Sequence, residues 1–71
     1  MFDEKLEPLK KCVHDLNNRV GIILATAELL QLEALSPRAA ERTRQVEHEA
    51  LAARDLLRRI AEVYLESPTR E

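Results

Sequence analysis

Two runs of residues with alternating three- and four-residue spacing constrain the fold of this chain more than any other feature. The first, wholly apolar, comprises Leu6, Leu9, Val13, Leu16, Val20, Ile23, Ala27, Leu30 and Ala34. The second comprises Thr43, Val46, Ala50, Ala53, Leu57, Ile60 and Tyr64. This spacing places each set on one stripe of an α-helix, at the a and d positions of a heptad repeat. The sequence therefore predicts two long helices, each with one seam.

The segment between the two runs predicts a break. Ser36 can cap a helix N-terminus, and Pro37 suits the first helical position, where no intrahelical donor is needed. We expect helix 1 over about residues 3–34, a turn over about 35–37, helix 2 over about 37–65 and a frayed tail over 66–71. Pro8 either begins helix 1 or kinks a first turn that starts at Asp3.

The composition limits how much core these helices can enclose. The 71 residues make a single domain with one Tyr, one Phe and no Trp, and one Cys excludes an internal disulfide. A short turn between long helices favours an antiparallel hairpin. Helix 1 carries a second apolar stripe, Ile22, Leu29 and Leu32, that one partner helix cannot cover. We therefore predict an all-α fold, an antiparallel two-helix hairpin that homodimerises into a four-helix bundle.

Charge and hydropathy exclude several classes of function. The formal net charge is −2, without the basic excess of a nucleic-acid-binding or membrane-surface protein. The most apolar run, 20–35, is interrupted by polar residues, so no membrane insertion is expected. The N-terminus lacks the apolar region of a signal peptide, and a lone thiol suits a reducing compartment, so we expect a cytoplasmic protein.

A polar cluster in the stretch CVHDLNNRVGIILATAELL, residues 12–30, is the strongest functional signal. Asn17 and Asn18 are poor residues for a helix interior because their side chains compete for backbone hydrogen bonds. His14 at position b and Asn18 at position f lie outside the seam, so the imidazole is expected to face solvent. A neutral imidazole in that setting is a competent nucleophile toward a phosphoryl donor.

The neighbours of His14 suit such a reaction. Lys10 and Lys11 offer positive charge one turn earlier, and Gly21 and Ala25 offer a flat surface for another protein's backbone. Simpler interpretations stay open: a solvated face for the lysines, a surface histidine on a coiled coil, and Asn residues that set helix register.

Two other residues are not expected to carry chemistry. His48 is at an outward position and lacks the second histidine of a zinc-binding H-E-x-x-H pair. Cys12, next to the seam, is expected to be a small buried hydrophobe. Because Cys12 and His14 point to different faces, we predict no metal site.

The motif HDLNN, followed by an apolar helix ending in AELL, resembles the H-box of bacterial sensor histidine kinases. The similarity is to their dimerisation and phosphotransfer domain. The segment ARDLLRRI also resembles part of the second helix of that domain, so the similarity covers nearly the whole chain. It implies a homodimeric four-helix bundle in which His14 is the phosphoacceptor. It further implies that Asp15 polarises the imidazole and that Asn18 positions the water that removes the phosphoryl group.

The sequence departs from this family in two respects. Arg19 stands where Pro is usual, so helix 1 should be straighter, and we expect Arg19 to form an ion pair with Asp15. Nothing resembles a phosphate-binding Gly-rich loop, so no kinase activity is expected from this chain alone. The chain then holds no cofactor, and ATP and Mg²⁺ would act only through a separate catalytic domain. It is either an excised domain or a small protein that keeps the phosphotransfer half.

The predicted function is a dimerisation and histidine phosphotransfer module of a two-component system. His14 would accept a phosphoryl group and pass it to an aspartate of a response regulator. The expected partners are a second copy, a receiver domain and a histidine-kinase ATP-binding domain. The alternative is a non-catalytic homodimeric coiled-coil protein with a docking or scaffold role.

Overall fold

The computed structural model describes the backbone of residues 3–65 and the side chains of residues 6–65. Helix α1 spans Asp3–Leu30, helix α2 spans Pro37–Ile60, and a π-helical turn follows over Ala61–Leu65. The described part contains no strand, which confirms the all-α prediction. The predicted tail, 66–71, lies outside the described residues.

Helix α1 ends earlier than its apolar pattern predicts. Pro8 lies inside the helix, whose first residue is Asp3. At the other end, the amides of Leu32 and Glu33 donate to carbonyls three residues back, each at 3.0 Å, instead of four. This tightening ends the α-helix at Leu30. The predicted boundary at Ala34 was wrong, and Ala34 lies exposed in the connection.

Helix α2 begins where the sequence predicts. Ser36 has extended backbone angles, φ −64° and ψ 159°, and its Oγ accepts a hydrogen bond from the amide of Ala39 at 3.1 Å. Its carbonyl accepts the amide of Ala40 at 2.8 Å, and Pro37 occupies the first turn. The cap satisfies donors that would otherwise lack a partner.

The end of α2 differs from the prediction of a continuous helix to residue 65. The wider π turn over Ala61–Leu65 shifts the side chains that follow it relative to the heptad repeat. Tyr64, predicted to lie in the seam, is 70% exposed. That assignment was therefore wrong.

The two helices pack against each other through one half of each predicted seam. The core cluster consists of Val20, Leu24, Ala50 and Leu57, with Val13 and Ala53 packed against it. Ala27 and Thr43 are also buried. Except for Leu24 and Ala53, these residues occupy heptad position a. Near the connection, the Gln31 side-chain amide donates a hydrogen bond to the carboxylate of Glu47.

The other half of each seam faces outward. Large side chains at position d are 37–51% exposed, namely Leu9, Leu16, Ile23, Leu30, Val46 and Ile60. The second stripe is exposed as well, at Ile22, Leu29 and Leu32. Two helices side by side meet along one line only, so a stripe wide enough for two neighbours stays half covered.

The shape of the molecule agrees with a single layer of helices. Its principal extents are 54 × 21 × 15 Å, and the thinnest is little more than one helix diameter. No side chain in the described range 6–65 is fully buried. Within the same range, neither helix is long and apolar enough to cross a bilayer.

Candidate functional site

His14 lies on the outer side of α1, near the middle of the helix. Its side chain is exposed, as position b predicted. The helix continues without interruption on both sides of it, which holds its backbone in one orientation. A reactant can therefore reach the imidazole directly from solvent.

Asn18 lies one turn after His14 and contacts its ring. Asn18 Nδ2 is 3.4 Å from His14 Nε2, and both side chains are exposed. This is a long hydrogen bond, so it is weak and easily broken. Among the described side chains, Asn17 forms no hydrogen bond of this kind, so only one residue of the Asn pair belongs to the site.

Asp15 does not pair with Arg19, and that expectation was wrong. Its Oδ2 instead lies 3.5 Å from Nζ of Lys11, one turn earlier. Side chains in a helix tilt toward its N-terminus, so the short Asp15 carboxylate lies over the turn that carries Lys11. The partner of Asp15 is therefore a lysine on its N-terminal side.

The two lysines near His14 are both engaged with acids. Lys10 Nζ lies 3.8 Å from a carboxylate oxygen of Glu7, and Lys11 pairs with Asp15. All four side chains are exposed, so each pair contributes little to stability and exchanges readily with water. The lysines belong to a solvated face, the simpler of the two interpretations.

A small-residue surface continues from His14 along α1. Ala25 is exposed and Gly21 is partly exposed. A Cβ placed on Gly21 would meet no atom within 4 Å, and its φ is not positive. Neither packing within the chain nor backbone conformation therefore requires glycine here, although glycine weakens a helix. The sequence indicated a flat surface, and the structure adds that the space above Gly21 is open.

The remaining candidates do not join the site. Cys12 is exposed, so the prediction of a buried thiol was wrong. It lies at position g, beside the d positions that the chain leaves uncovered. His48 is exposed on α2. Within the described residues, no group of three or more His, Cys, Asp or Glu side chains could hold a metal ion.

Comparison with known proteins returned no matching family model, no similar curated protein and no similar solved structure. The chemistry of the site therefore follows from its own residues. They present an accessible ring nitrogen, an amide donor beside it, and an open small-residue surface about two to three turns away.

Proposed function

We propose that this chain is the dimerisation and histidine phosphotransfer module of a two-component signalling system of the sensor histidine kinase type. The observation that carries the proposal is the exposed His14 with Asn18 Nδ2 3.4 Å from its Nε2. The order His-Asp-Leu-Asn-Asn around this contact resembles the H-box. A nucleophile that must meet two different proteins in turn has to be exposed in this way.

The reaction needs one lone pair on the imidazole. His14 Nε2 attacks the terminal phosphorus of a nucleoside triphosphate, and an N–P bond forms as the bridging O–P bond breaks. The electron pair of the broken bond leaves with the nucleoside diphosphate, and the ring loses its Nδ1 proton to solvent. A carboxylate oxygen of the receiver aspartate then attacks phosphorus, the N–P electron pair returns to His14 Nε2, and Nδ1 regains a proton from solvent, which restores the neutral imidazole.

The nucleotide comes from a separate histidine-kinase ATP-binding domain, which also supplies Mg²⁺. The chain has one glycine, whereas a phosphate-binding loop needs several. In this scheme the chain is a cytoplasmic phosphorelay component without kinase activity of its own.

The second part of the proposal is the assembly. The two helices form an antiparallel hairpin, and two hairpins associate through the d positions to give a four-helix bundle. Two neighbouring grooves that share Ile23 and Val46 support this interface. One also has Ala53 in its lining, with the polar side chains of Arg42, Gln45 and Glu49 beside the apolar ones, and the other includes Leu30. The heptad spacing continues along both helices, so an identical hairpin matches the grooves in length and period. His14 and Asn18 lie outside this face and stay accessible in the dimer.

The response-regulator receiver domain binds at the small-residue surface of Gly21 and Ala25. Close approach of a partner's backbone is a reason for glycine at a position where the chain itself needs none. This surface shares positions b and f with His14 and Asn18. A receiver docked there places its aspartate on the same side of α1 as the imidazole.

A non-catalytic homodimeric docking or scaffold protein is the second candidate. Two observations favour it: the long apolar face at the d positions, and the pairing of Asp15 with Lys11 in place of the His14 ring. In that case the chain dimerises but accepts no phosphoryl group.

The test uses the ATP-binding domain of a sensor histidine kinase with the H-D-L-N-N box, radiolabelled ATP and Mg²⁺. The parent chain should acquire an acid-labile phosphate. His14→Gln should acquire none and keep its circular dichroism spectrum, whereas His48→Gln should behave as the parent. A dimeric parent that stays unlabelled supports the scaffold function, and label on His14→Gln means that another residue is the acceptor.

A further inference from the structure

We propose that Asn18 selects the tautomer of His14, and so determines which ring nitrogen is the nucleophile. This role deepens the proposed phosphotransfer function and rests on it. It makes Asn18 a positioning residue for the forward reaction, in addition to the role that the H-box resemblance implies in phosphoryl removal. The observation behind it is the contact between Asn18 Nδ2 and His14 Nε2.

The direction of this hydrogen bond follows from the chemistry of the two atoms. In the orientation of the Asn18 amide that the structure shows, Nδ2 faces the ring, and because an amide nitrogen can only donate, His14 Nε2 is then the acceptor. A ring nitrogen that accepts carries a lone pair, and a neutral imidazole then bears its proton on Nδ1. The contact with Asn18 therefore favours the neutral tautomer of His14 that carries its proton on Nδ1.

This tautomer is not the one that histidine prefers by itself. Unconstrained neutral histidine carries its proton mostly on Nε2, which leaves the lone pair on Nδ1. On a helix, Nδ1 is the ring nitrogen nearer the backbone and is sterically less accessible to phosphorus. Donation from Asn18 moves the lone pair to Nε2 at the outer edge of the ring, where a phosphoryl donor can reach it.

No other described side chain supplies this effect. An acid that accepts from Nδ1–H would favour the same tautomer, but the Asp15 carboxylate is paired with Lys11 at 3.5 Å. The length of the Asn18 contact, 3.4 Å, also suits the role. A weak hydrogen bond biases the resting tautomer and then releases the lone pair when phosphorus approaches.

The tautomer can be measured without any kinase. We suggest two-dimensional ¹H–¹⁵N spectra of the imidazole in the His48→Gln background, at about pH 8.5, where ordinary imidazoles are neutral. The parent should show an excess of the Nδ1–H form. Asn18→Ala should lower the ratio of Nδ1–H to Nε2–H by about two- to tenfold, the range expected for one hydrogen bond.

Two further variants separate tautomer selection from a structural role. Asn18→Asp has nearly the same shape but can only accept, so Nε2–H should become dominant. Asn17→Ala removes the neighbouring amide, which does not contact the ring, and should leave the ratio unchanged. An equal ratio in the parent, Asn18→Ala and Asn18→Asp overturns the proposal.

Phosphorylation by phosphoramidate then shows which ring nitrogen reacts, because this small donor needs no protein recognition. By ³¹P spectroscopy, the parent should be phosphorylated mainly on Nε2, and Asn18→Ala should shift product toward Nδ1. If the tautomer responds as expected but no kinase domain labels the parent, the tautomer assignment stands and the phosphotransfer function fails. If kinase labelling succeeds while the tautomer ratio is the same in the parent and the Asn18 variants, the phosphotransfer function stands and the tautomer assignment fails.

Discussion

At the scale of single residues, the site is arranged by contacts one helical turn apart. Asn18 reaches back to His14, and Asp15 is held by Lys11. Each contact joins exposed groups and is weak, so each shifts an equilibrium without fixing a geometry. Reactivity at His14 should therefore respond to substitutions that leave stability almost unchanged.

The Lys11–Asp15 pair gives the first prediction at this scale. If Asp15 assists the imidazole, Lys11→Ala should free it and raise the rate of phosphoryl acceptance by about 1.4- to 2.3-fold, because such pairs contribute about 0.2–0.5 kcal/mol. Arg19→Ala, which removes a cation at the same distance on the other side, should change nothing. The gain should shrink at high salt, where the pair is already weakened. Equal rates for all three proteins would remove Asp15 from the mechanism.

At the scale of the elements, hydrogen bonds at the helix ends determine where α2 begins and where α1 stops. Ser36 and Pro37 start α2 through a side-chain cap. Helix α1 ends at Leu30 through tightening of its last turn, without a capping glycine. Within α1, Gly21 is a poor helix former, as are Pro8, Asn17 and Asn18, and nothing inside the chain requires glycine there.

At the scale of the elements, Gly21→Ala should therefore have two opposite effects, a more stable helix α1 and weaker binding of the receiver domain. Alanine should stabilise α1 by about 0.8–1.0 kcal/mol, which corresponds to a rise in Tm of about 4–8 °C at fixed protein concentration. The added methyl group should at the same time weaken binding of the cognate receiver domain. Thermal unfolding by circular dichroism and calorimetric titration check the two halves. Ala25→Gly is the control, since it should lower Tm without adding bulk. A Tm that falls in Gly21→Ala would contradict the open space above the glycine.

At the scale of the whole molecule, one chain leaves too much apolar surface uncovered. Its accessible surface is 5888 Å². A compact monomer of 8.2 kDa would expose about 4,500 Å². The excess, about 1,400 Å² for one chain, is larger than the roughly 800 Å² that each partner buries in a standard protein interface. The d positions of both helices supply the apolar part of it, so a second copy is the partner that the proposal assigns.

Sedimentation equilibrium at micromolar concentration checks this assignment. The parent should have twice the chain mass of 8.2 kDa. Ile23→Asp should dissociate the dimer, with Kd raised by about 10- to 150-fold from lost burial alone, because Ile23 is 49% exposed in one chain and each copy loses about 0.8–1.5 kcal/mol of apolar burial. Helicity should fall with it, since the core of one chain is small. Ala25→Asp, exposed on the opposite side of α1 from the d positions, should stay dimeric. A well-folded parent monomer would refute the bundle.

Much of this protein could be predicted from the sequence because local chemistry decides it. The heptad spacing predicted two helices, and Ser36 with Pro37 predicted the start of the second, since capping depends only on neighbouring residues. The exposure of His14 followed from its position b. Its role and that of the bundle stay predictions, because they depend on partners.

The tertiary structure alone decided which part of each seam is covered. A heptad pattern gives a and d positions the same apolar character, but packing of α1 on α2 buries the central a positions, such as Val20 and Ala50, and leaves Ile23 and Val46 half exposed. The same geometry exposes Cys12, and the π turn turns Tyr64 outward. The prediction that Asp15 pairs with Arg19 was wrong, because Lys11 is equally distant along the chain and is the residue that pairs with it. Only the directions of the side chains distinguish them, and those depend on helix geometry in three dimensions.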